Sequence, residues 1–467
     1  MTELRNLCVK ILKEFFGDVP SQIGSELSWG PKTLPLIKSA LKLPLAKVKE
    51  GLVVLISNGV AKFEAIKEGL AVQYILLPER VLTLSRIPRY LATIENKLGY
   101  ESKLLIEEVV RHGSISISQM IIKVAARCQA GKSLVIFEIK CKNIRAVVKG
   151  ESSAKLPDHN VVWRLNHRRF DQDLRDEVMI SAITKRFDAY AGKLMEILLK
   201  LMYERTSPWQ SVSNPIPITL IKDTLVKARV KNYLYANIQQ YLKVMENDSS
   251  RFLSTSIEGP NNITVNVKHA VESITHTLLD HIVAHRFGDK PRRIFSKKYC
   301  EQEQIQKIAM VPDKEAKKYT YKLLEENFIQ LTQLSRPAAT SGPGINKVFY
   351  LFHVNLDAVV QMVIHQCYQA LGNAMSRRDH ERSENARLIE KKNRIDSFAK
   401  SLKEQGQSEN EIKEMLEDLM TPPEKTLLEN VNSVFEKLSL AEEQLDDTLF
   451  ILQLFQHFQR DAIKNES

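Results

Sequence analysis

VKEGLVVLISNGVAKF, residues Val48–Phe63, is the stretch that decides the fold of this chain. It begins as an amphipathic helix, ends that helix in a polar residue, and continues at once into an apolar, strand-like run. AKKYTYKLLEENFIQL, residues Ala316–Leu331, has the same pattern, and a looser copy lies at Tyr233–Leu253. Helix–turn–helix followed by a small β-hairpin is the winged-helix plan, so the repetition predicts an array of such modules rather than one large enzyme domain.

The two clear copies can be set on each other residue by residue. Matching Leu55 to Leu324 places Asn58 on Asn327 and Val60 on Ile329. We therefore expect both helices to end at an asparagine.

The charge of the chain is unevenly distributed. The 467 residues carry a formal charge of +11, but residues 376–467 alone have a net charge of −6 and residues 1–375 one of +17. This asymmetry favours a function in which the basic part binds phosphates and the acidic C-terminal part binds protein. The alternative is that both parts are ordinary solvated surface whose charges differ by chance.

The cysteines and the apolar runs bear on the compartment. The five cysteines form no CxxC pair, which is typical of reduced thiols in a reducing compartment. The first residues predict an amphipathic helix rather than a signal peptide, and no apolar run approaches the ~18 residues of a membrane span. We expect a soluble, intracellular protein without membrane contact.

Hydrophobic periodicity and turn residues predict the elements of each module. In the first, they predict helices at 2–17, 34–41 and from Pro44, and a wing of 60–63 and 72–77 with its turn at 67–69. In the second, they predict a link at 86–90, helices at 102–112 and 118–127, strands beyond Gly131 and a polar linker at 150–160. In the third, they predict one long helical stretch at 170–202, helices at 219–225 and 233–245, and a wing of 252–257 and 263–267 with its turn at 259–262. In the fourth, they predict helices at 270–286, 302–309 and 314–326, a wing loop at 336–346 and a return strand at 348–354.

The C-terminal part has a different period. Apolar residues recur at alternating spacings of four and three, which is an a/d heptad seam with one polar position. The seam consists of Leu427, Val431, Val434, Leu438, Ala441, Leu445, Thr448, Leu452 and Phe455. Earlier helical segments at 356–374 and 388–402 could fold back on it, with Pro422 and Pro423 at the start of the last helix. We predict an antiparallel coiled coil, against the alternative of ordinary helical packing.

The fold class is therefore mainly α, with α+β modules: tandem winged helices followed by a C-terminal antiparallel coiled coil. The predicted domains are winged helix 1 at 1–85, an atypical or incomplete winged helix 2 at 86–160, winged helix 3 at 161–267, winged helix 4 at 268–354 and the coiled coil at 355–467.

Catalytic motifs are missing from the sequence. It contains no phosphate-binding glycine loop, no HExxH and no GxSxG. The best metal candidates are His276, His281 and His285 on one helix, but zinc needs further ligands, and a half-buried helix face is the better interpretation. We predict no catalytic residue, no cofactor and no metal.

Basic clusters are the better indication of function. Such lysines and arginines can neutralise phosphates without reading sequence, although each cluster could equally be a solvated helix face. The candidates for DNA binding are Lys42, Lys47, Lys49, Lys62, Lys67, Arg292, Arg293, Lys297, Lys298, Lys314, Lys317, Lys318 and Lys322. Few Arg, Asn or Gln stand on the predicted recognition helices, so base-specific reading is not expected.

Longer segments resemble one family. They are RIPRY (86–90), RFDQDLRDEVMISAITKRFD (169–188), HRFGDKPRRIF (285–295), IQKIAMVPDKEAKKYTYKLLEENF (305–328), KVFYLFHVN (347–355) and RRDHERSENARLIEKKNRI (377–395). In order along the chain, they resemble the RPC3/C82-type winged-helix subunit of RNA polymerase III. Residues 131–160 depart from that family, whose members carry a third helix and then a long charged linker where this chain has a shorter, unrelated stretch.

The resemblance implies four extended winged helices around a C-terminal coiled coil. It implies a non-catalytic subunit in a peripheral initiation heterotrimer with two smaller partner subunits, located in the nucleus. That heterotrimer contacts the polymerase clamp and the initiation factor, and helps to open and hold promoter DNA, single- or double-stranded.

Other classes of protein remain as alternatives. A scaffold subunit of the proteasome-lid or translation-initiation type would have a helical solenoid ending in one winged helix, which the repeated winged-helix pattern disfavours. A zinc-dependent or nucleotide-using enzyme would bind its metal or nucleotide as a pure protein. A free transcription factor would select a sharp DNA sequence.

Overall fold

The computed structural model describes residues 2–67, 71–128, 161–227, 232–256, 259, 261–295, 299–335, 348–404 and 420–466. The chain divides into two compact units, one of Met1–His167 with Tyr368–Asp446 and one of Arg168–Cys367 with Asp447–Ser467. The fold is mainly helical with small antiparallel sheets, as predicted. Within the described ranges, no helix is both long enough and apolar enough to cross a membrane.

The first module confirms the predicted helices and wing. Its elements are α1 (Thr2–Phe16), α2 (Asp18–Leu27), β1 (Lys32–Thr33), α3 (Leu34–Leu41), α4 (Leu45–Ser57), β2 (Ala61–Lys67), β3 (Ala71–Leu76) and α5 (Pro78–Ser85). Helix α2 was not predicted because it contains both Pro20 and Gly24. A Cβ atom at Gly24 would lie 2.2 Å from Leu12 Cδ1 of α1, so any larger residue there would force the Leu12 side chain to move. The predicted turn includes residues 68 and 69, which lie outside the described ranges.

The second module consists of α6 (Ile87–Leu98), α7 (Tyr100–His112) and α8 (Ile117–Cys128). Helices α7 and α8 confirm the prediction. The predicted link at 86–90 is wrong, because α6 begins at Ile87 with Pro88 in its first turn, where a missing N–H costs nothing. The strands predicted beyond Gly131 and the linker at 150–160 lie outside the described residues.

The third module begins with α9 (His167–Arg186) and α10 (Ala189–Arg205), not with one continuous helix. The break falls at Asp188, whose side chain accepts a 2.7 Å hydrogen bond from the backbone N–H of Ala191 and so starts a new helix. The remaining elements are β4 (Ile216–Pro217), α11 (Ile218–Lys227), α12 (Asn232–Glu246), β5 (Leu253–Thr255) and β6 (Asn262–Val265). The predicted helix pair and wing are confirmed, while the turn at 259–262 is only partly described.

The fourth module also confirms its predicted helices and return strand. Its elements are α13 (Val267–Phe287), α14 (Asp289–Phe295), β7 (Tyr299–Cys300), α15 (Gln302–Ala309), α16 (Asp313–Glu325), β8 (Gln330–Ser335) and β9 (Val348–His353). The predicted wing loop at 336–346 lies outside the described ranges.

Three of the modules share one sheet topology. The strand orders are β1-β3-β2, β4-β6-β5 and β7-β9-β8, so in each the short strand before the helix pair adds to the edge of the wing. This shared order confirms tandem winged helices. The domain boundaries themselves remain a prediction.

The predicted match between the first and fourth modules is wrong by one residue. Leu55 corresponds to Leu323, since both are fully buried and both accept the hydrogen bond that closes the helix, from Val60 N (3.0 Å) and Phe328 N (2.9 Å). Asn58 keeps a negative φ of −82°, whereas Asn327 has a φ of 60° and so stands where Gly59 (φ 69°) stands in the first module.

Within the first unit, the parts of the last helices between residues 368 and 446 form a hairpin. These helices are α17 (Leu356–Glu384), α18 (Ala386–Glu404) and α19 (Pro422–Glu466). Arg378 bonds Glu442 at 2.7 Å and Lys391 bonds Glu424 at 2.7 Å, so the partners run in opposite directions. Most of the heptad seam is buried or half-buried, but Leu427 is 56% exposed. The predicted start at Pro422 is confirmed.

Two of the family-like segments each contribute a buried arginine that is hydrogen-bonded within its own unit. In the first unit, Arg86 Nε lies 3.0 Å from Asp446 Oδ1, and Arg89 Nη1 lies 3.0 Å from Oδ2 of the same carboxylate. In the second unit, Arg175 Nη1 donates to the Pro208 carbonyl at 2.6 Å, and Nη2 to the Tyr203 hydroxyl at 2.8 Å. Removing one partner of such a buried pair costs about 3–5 kcal/mol.

Candidate nucleic-acid interface

Helix α16 of the fourth module has one buried and one cationic face. Ala316, Thr320 and Leu323 are buried against the module. The residues on the other side are exposed, and they are Lys314, Lys317, Lys318, Tyr321 and Lys322. Lys314, Lys318 and Lys322 are four apart, so their side chains follow one another along the same face. We call these five residues the α16 face.

The lysines of the α16 face differ in how they are partnered. Lys317 Nζ lies 2.7 Å from Asp313, and that hydrogen bond raises the pKa of Lys317. Lys322 Nζ lies 5.4 Å from the centre of the Phe287 ring. In the described part of the chain, no acidic side chain lies within 4 Å of Lys314 or Lys318. These two ammonium groups therefore keep their full charge for an external anion.

Two residues of the basic run at 290–298, Lys290 and Arg293, have partners within the protein. Lys290 Nζ lies 2.9 Å from Glu315, whose hydrogen bond raises the pKa of Lys290. Arg292 is half-buried, and Arg293 donates to the Ala309 carbonyl at 3.4 Å. Lys297 and Lys298 lie outside the described residues. The structure thus connects Lys290 to α16 through Glu315 but does not extend the α16 face along the whole run.

The candidate lysines of the first module lie on a mixed surface. Lys47 and Lys49 are exposed on α4, and Lys42 ends α3 with a φ of 53°. The same side of α4 also exposes Glu50 and Val53, the latter to 61%.

The wing of the first module adds little free positive charge. Lys62 Nζ lies 2.5 Å from Glu64, so its charge is balanced. Lys67 ends β2, and its side chain is not described. In the described ranges, Lys42, Lys47 and Lys49 also have no acidic partner, but they do not form one row at a four-residue spacing as Lys314, Lys318 and Lys322 do.

Two exposed aromatic residues of the fourth module were not among the residues predicted to bind DNA. Tyr321 on α16 is 60% exposed, and Tyr299 on β7 is 66% exposed. Tyr299 stacks on His353 of β9 with ring centres 5.5 Å apart, because the two residues are paired across the strands. The sequence KKYTYK could have predicted an exposed Tyr321, because Thr320 is buried and the residue after it lies on the solvent side of the helix.

The histidines and cysteines do not form a reaction centre in the described ranges. His276 Nδ1 lies 3.7 Å from Asp280 and its ring packs 6.0 Å from Phe295. No cluster of three or more possible metal ligands occurs among the residues that the structure describes. Burial raises the pKa of Cys8 to about 12 and that of Cys367 to about 11, so both thiols stay protonated and poorly nucleophilic at neutral pH.

Four family models match successive parts of the chain. They are described as "RNA polymerase III subunit RPC82 helix-turn-helix domain" for residues 6–65, "RNA polymerase III subunit RPC82" for 132–274, "POLR3C, C-terminal winged-helix domain" for 279–354 and "DNA-directed RNA polymerase III subunit RPC3, helical hairpin domain" for 387–451. The second match includes residues 132–160, so the expectation that this stretch is unrelated to the family is wrong.

Curated relatives resemble the chain over nearly its whole length. The DNA-directed RNA polymerase III subunit RPC3 of Mus musculus is 29% identical, and that of Homo sapiens 28% identical, over 96% of this chain and 97% of each relative. The rpc3 subunit of Dictyostelium discoideum is 21% identical over 52% of this chain and 38% of its own length. The mouse alignment extends over 527 positions, more than the 467 residues here, so that relative has residues that this chain lacks.

Proposed function

The chain belongs to the RPC3 family of RNA polymerase III subunits, and from that premise we propose that it binds promoter DNA through the α16 face. As an RPC3 subunit it is a non-catalytic component that associates with other subunits of the polymerase. The observation that supports DNA binding is the row of exposed lysines at Lys314, Lys318 and Lys322, of which the first two have no acidic partner in the described ranges.

The chemistry of the α16 face favours phosphate contact over sequence reading. Its cations are lysines, which act as point charges on phosphate oxygens. Specific reading in the major groove relies on the paired donors and acceptors of Arg, Asn and Gln, and the α16 face carries none of these. The exposed Tyr321 and Tyr299 could add stacking on bases, so duplex and melted strands are both compatible ligands.

The proposed cellular role follows from the family resemblance. We place the chain in the nucleus, in an initiation heterotrimer with two smaller subunits, against the polymerase clamp and in contact with the initiation factor. There it supports promoter opening for the transcription of small non-coding RNAs. The lysines of the first module, Lys42, Lys47, Lys49, Lys62 and Lys67, are a second and weaker DNA-binding surface in this proposal.

A charge-reversal experiment tests the DNA contact. Lys314→Glu with Lys318→Glu should weaken binding of the full chain to a labelled duplex and to a labelled single strand about tenfold or more. It should also reduce the dependence of log K on log salt by about 0.9 per lost duplex contact. The matched control is Lys185→Glu with Lys243→Glu, two exposed lysines of the third module outside every candidate DNA-binding surface, which changes the net charge equally.

The control variant distinguishes a local DNA contact at the α16 face from DNA binding that depends only on the overall positive charge of the protein. An equal loss in both variants would assign binding to overall charge and contradict the assignment to the α16 face. DNA binding that ignores salt would contradict phosphate contact altogether.

The assembly is tested by affinity purification from nuclear extract with identification of the bound chains. Polymerase III subunits should co-purify in stoichiometric amounts. Recovery of proteasome-lid or translation-initiation subunits instead would favour the scaffold alternative.

A further inference from the structure

A groove lies in the first unit, between the first and second modules. It has a volume of about 420 Å³ and is bounded by the end of α4, the start of β2, α5, the end of α7 and residues 164–167. Most of its walls are apolar, with contributions from Phe15, Ile56 and Phe63. Phe15 is 43% and Phe63 60% exposed, so an apolar surface remains open to a ligand. This volume lies within the range of about 300–1,000 Å³ typical of binding pockets.

Backbone contacts hold the walls of the groove in place. Gly113, with a φ of 68°, ends α7 so close to α4 that a Cβ atom would lie 2.8 Å from the Ser57 carbonyl oxygen and from Asn58 Oδ1. Residues 161–167 are tied to the same region by two hydrogen bonds between Ile115 and Trp163, of 3.1 and 2.9 Å. The groove is therefore largely preformed.

The charges that line the groove are all positive. Lys62, Arg80 and Arg164 contribute to the lining, and among the described residues no carboxylate does. Lys62 is balanced by Glu64, but no acidic side chain pairs with Arg80 or Arg164 in the described part of the chain.

His167 also lines the groove. Its buried Nδ1 has no hydrogen-bond partner among the described residues, which is unusual for a buried polar atom. Burial lowers the pKa of His167 to about 4, and the charge of Arg80 contributes, so the ring is neutral.

We propose that this groove binds an acidic segment of another protein chain, with an aromatic or large aliphatic side chain between Phe15 and Phe63 and a carboxylate at Arg80 and Arg164. Nucleic acid is the less suitable ligand, because phosphates gain nothing from the apolar walls. The groove belongs to a different unit from the α16 face, so this proposal does not depend on the DNA contact.

The test uses the full chain labelled at isoleucine methyl groups, because Ile56 and Ile87 line the groove and report on it directly. The probe is a short synthetic peptide of Asp and Glu around one Phe. Two matched peptides replace that Phe by Ser, or the acids by Asn and Gln. We expect the Ile56 and Ile87 signals to shift with the first peptide, and each matched peptide to bind about tenfold more weakly or worse.

Two variants locate the binding in the groove. Arg80→Glu with Arg164→Glu should remove binding of the acidic peptide, while Lys314→Glu with Lys318→Glu should leave it unchanged. Phe63→Ser alters an exposed side chain and should weaken binding without affecting the fold, which the remaining methyl signals check. No shift of Ile56 and Ile87, or equal binding of the Ser peptide, would overturn the proposal, as would displacement of the peptide by an oligonucleotide at these methyl groups.

Discussion

Helices α4 and α16 occupy the same place in two modules of one topology, yet they expose different sets of side chains. Their buried positions agree, with Val48 at Ala316 and Leu55 at Leu323. Their exposed positions mostly differ, and lysine is shared only between Lys49 and Lys317. In the corrected register, Ala46 stands at Lys314, Lys49 at Lys317, Glu50 at Lys318, Val53 at Tyr321 and Val54 at Lys322.

This difference separates what the fold requires from what the surface does. The first and fourth modules share their buried positions and the turn after the helix, because in both modules the wing must pack on the helix pair in the same way. The solvent side carries no such requirement, so α16 can expose a row of lysines where α4 exposes Ala46, Glu50 and Val54. Function in this chain must therefore be assigned module by module.

The largest expected effect tests whether the two interiors are equivalent. Leu55→Ala and Leu323→Ala each remove a fully buried side chain and should each cost about 2–5 kcal/mol of stability. Calorimetry of the full chain should show a lowered unfolding transition in both variants, while DNA affinity of the folded protein stays unchanged. A large loss of stability in one variant and none in the other would show that the two helix interiors are not equivalent.

The elements that were predicted and those that were missed differ in their physical origin. Helices α3 and α15 matched their predicted bounds, and local residues mark their starts: Pro35 lies in the first turn of α3, and Glu301 and Gln304 form a capping box at α15. Helix α2 was missed because its glycine serves a contact with Leu12 that only the folded chain contains. The predicted match between the first and fourth modules was wrong by one residue because Asn58 and Asn327 look equivalent in sequence, whereas their φ angles have opposite signs.

The candidate site shows the same division. The row of Lys314, Lys318 and Lys322 follows from helical spacing and could be predicted. The pairing of Lys290 with Glu315 could not, because these residues meet only through tertiary packing. The groove between the first two modules also depends on residues from Phe15 to His167, which no local pattern connects.

An intermediate effect is expected from exchanging the exposed faces. Ala46→Lys, Glu50→Lys and Val54→Lys would give α4 the lysine positions of α16 on an unchanged interior. Added phosphate contacts should raise DNA affinity at low salt about tenfold and steepen its salt dependence. Anisotropy with a labelled duplex measures both, and Ala46→Gln, Glu50→Gln and Val54→Gln control for the change in shape. No gain would mean that the position of α4, and not its side chains, limits DNA binding by the first module.

The smallest expected effect concerns the carboxylate at the start of α16. Asp313 pairs with Lys317 at 2.7 Å, whereas the corresponding residue of α4 is the uncharged Leu45. Asp313→Asn releases Lys317 and removes a negative charge beside the proposed DNA contact, so DNA affinity should rise about twofold to threefold at low salt. Because the pair is exposed, the gain should fade as salt rises. Glu303→Gln removes one negative charge elsewhere in the module and should have less effect, since α15 is outside the α16 face. A gain from Glu303→Gln as large as that from Asp313→Asn would show that net charge, rather than the pairing of Lys317, sets the affinity.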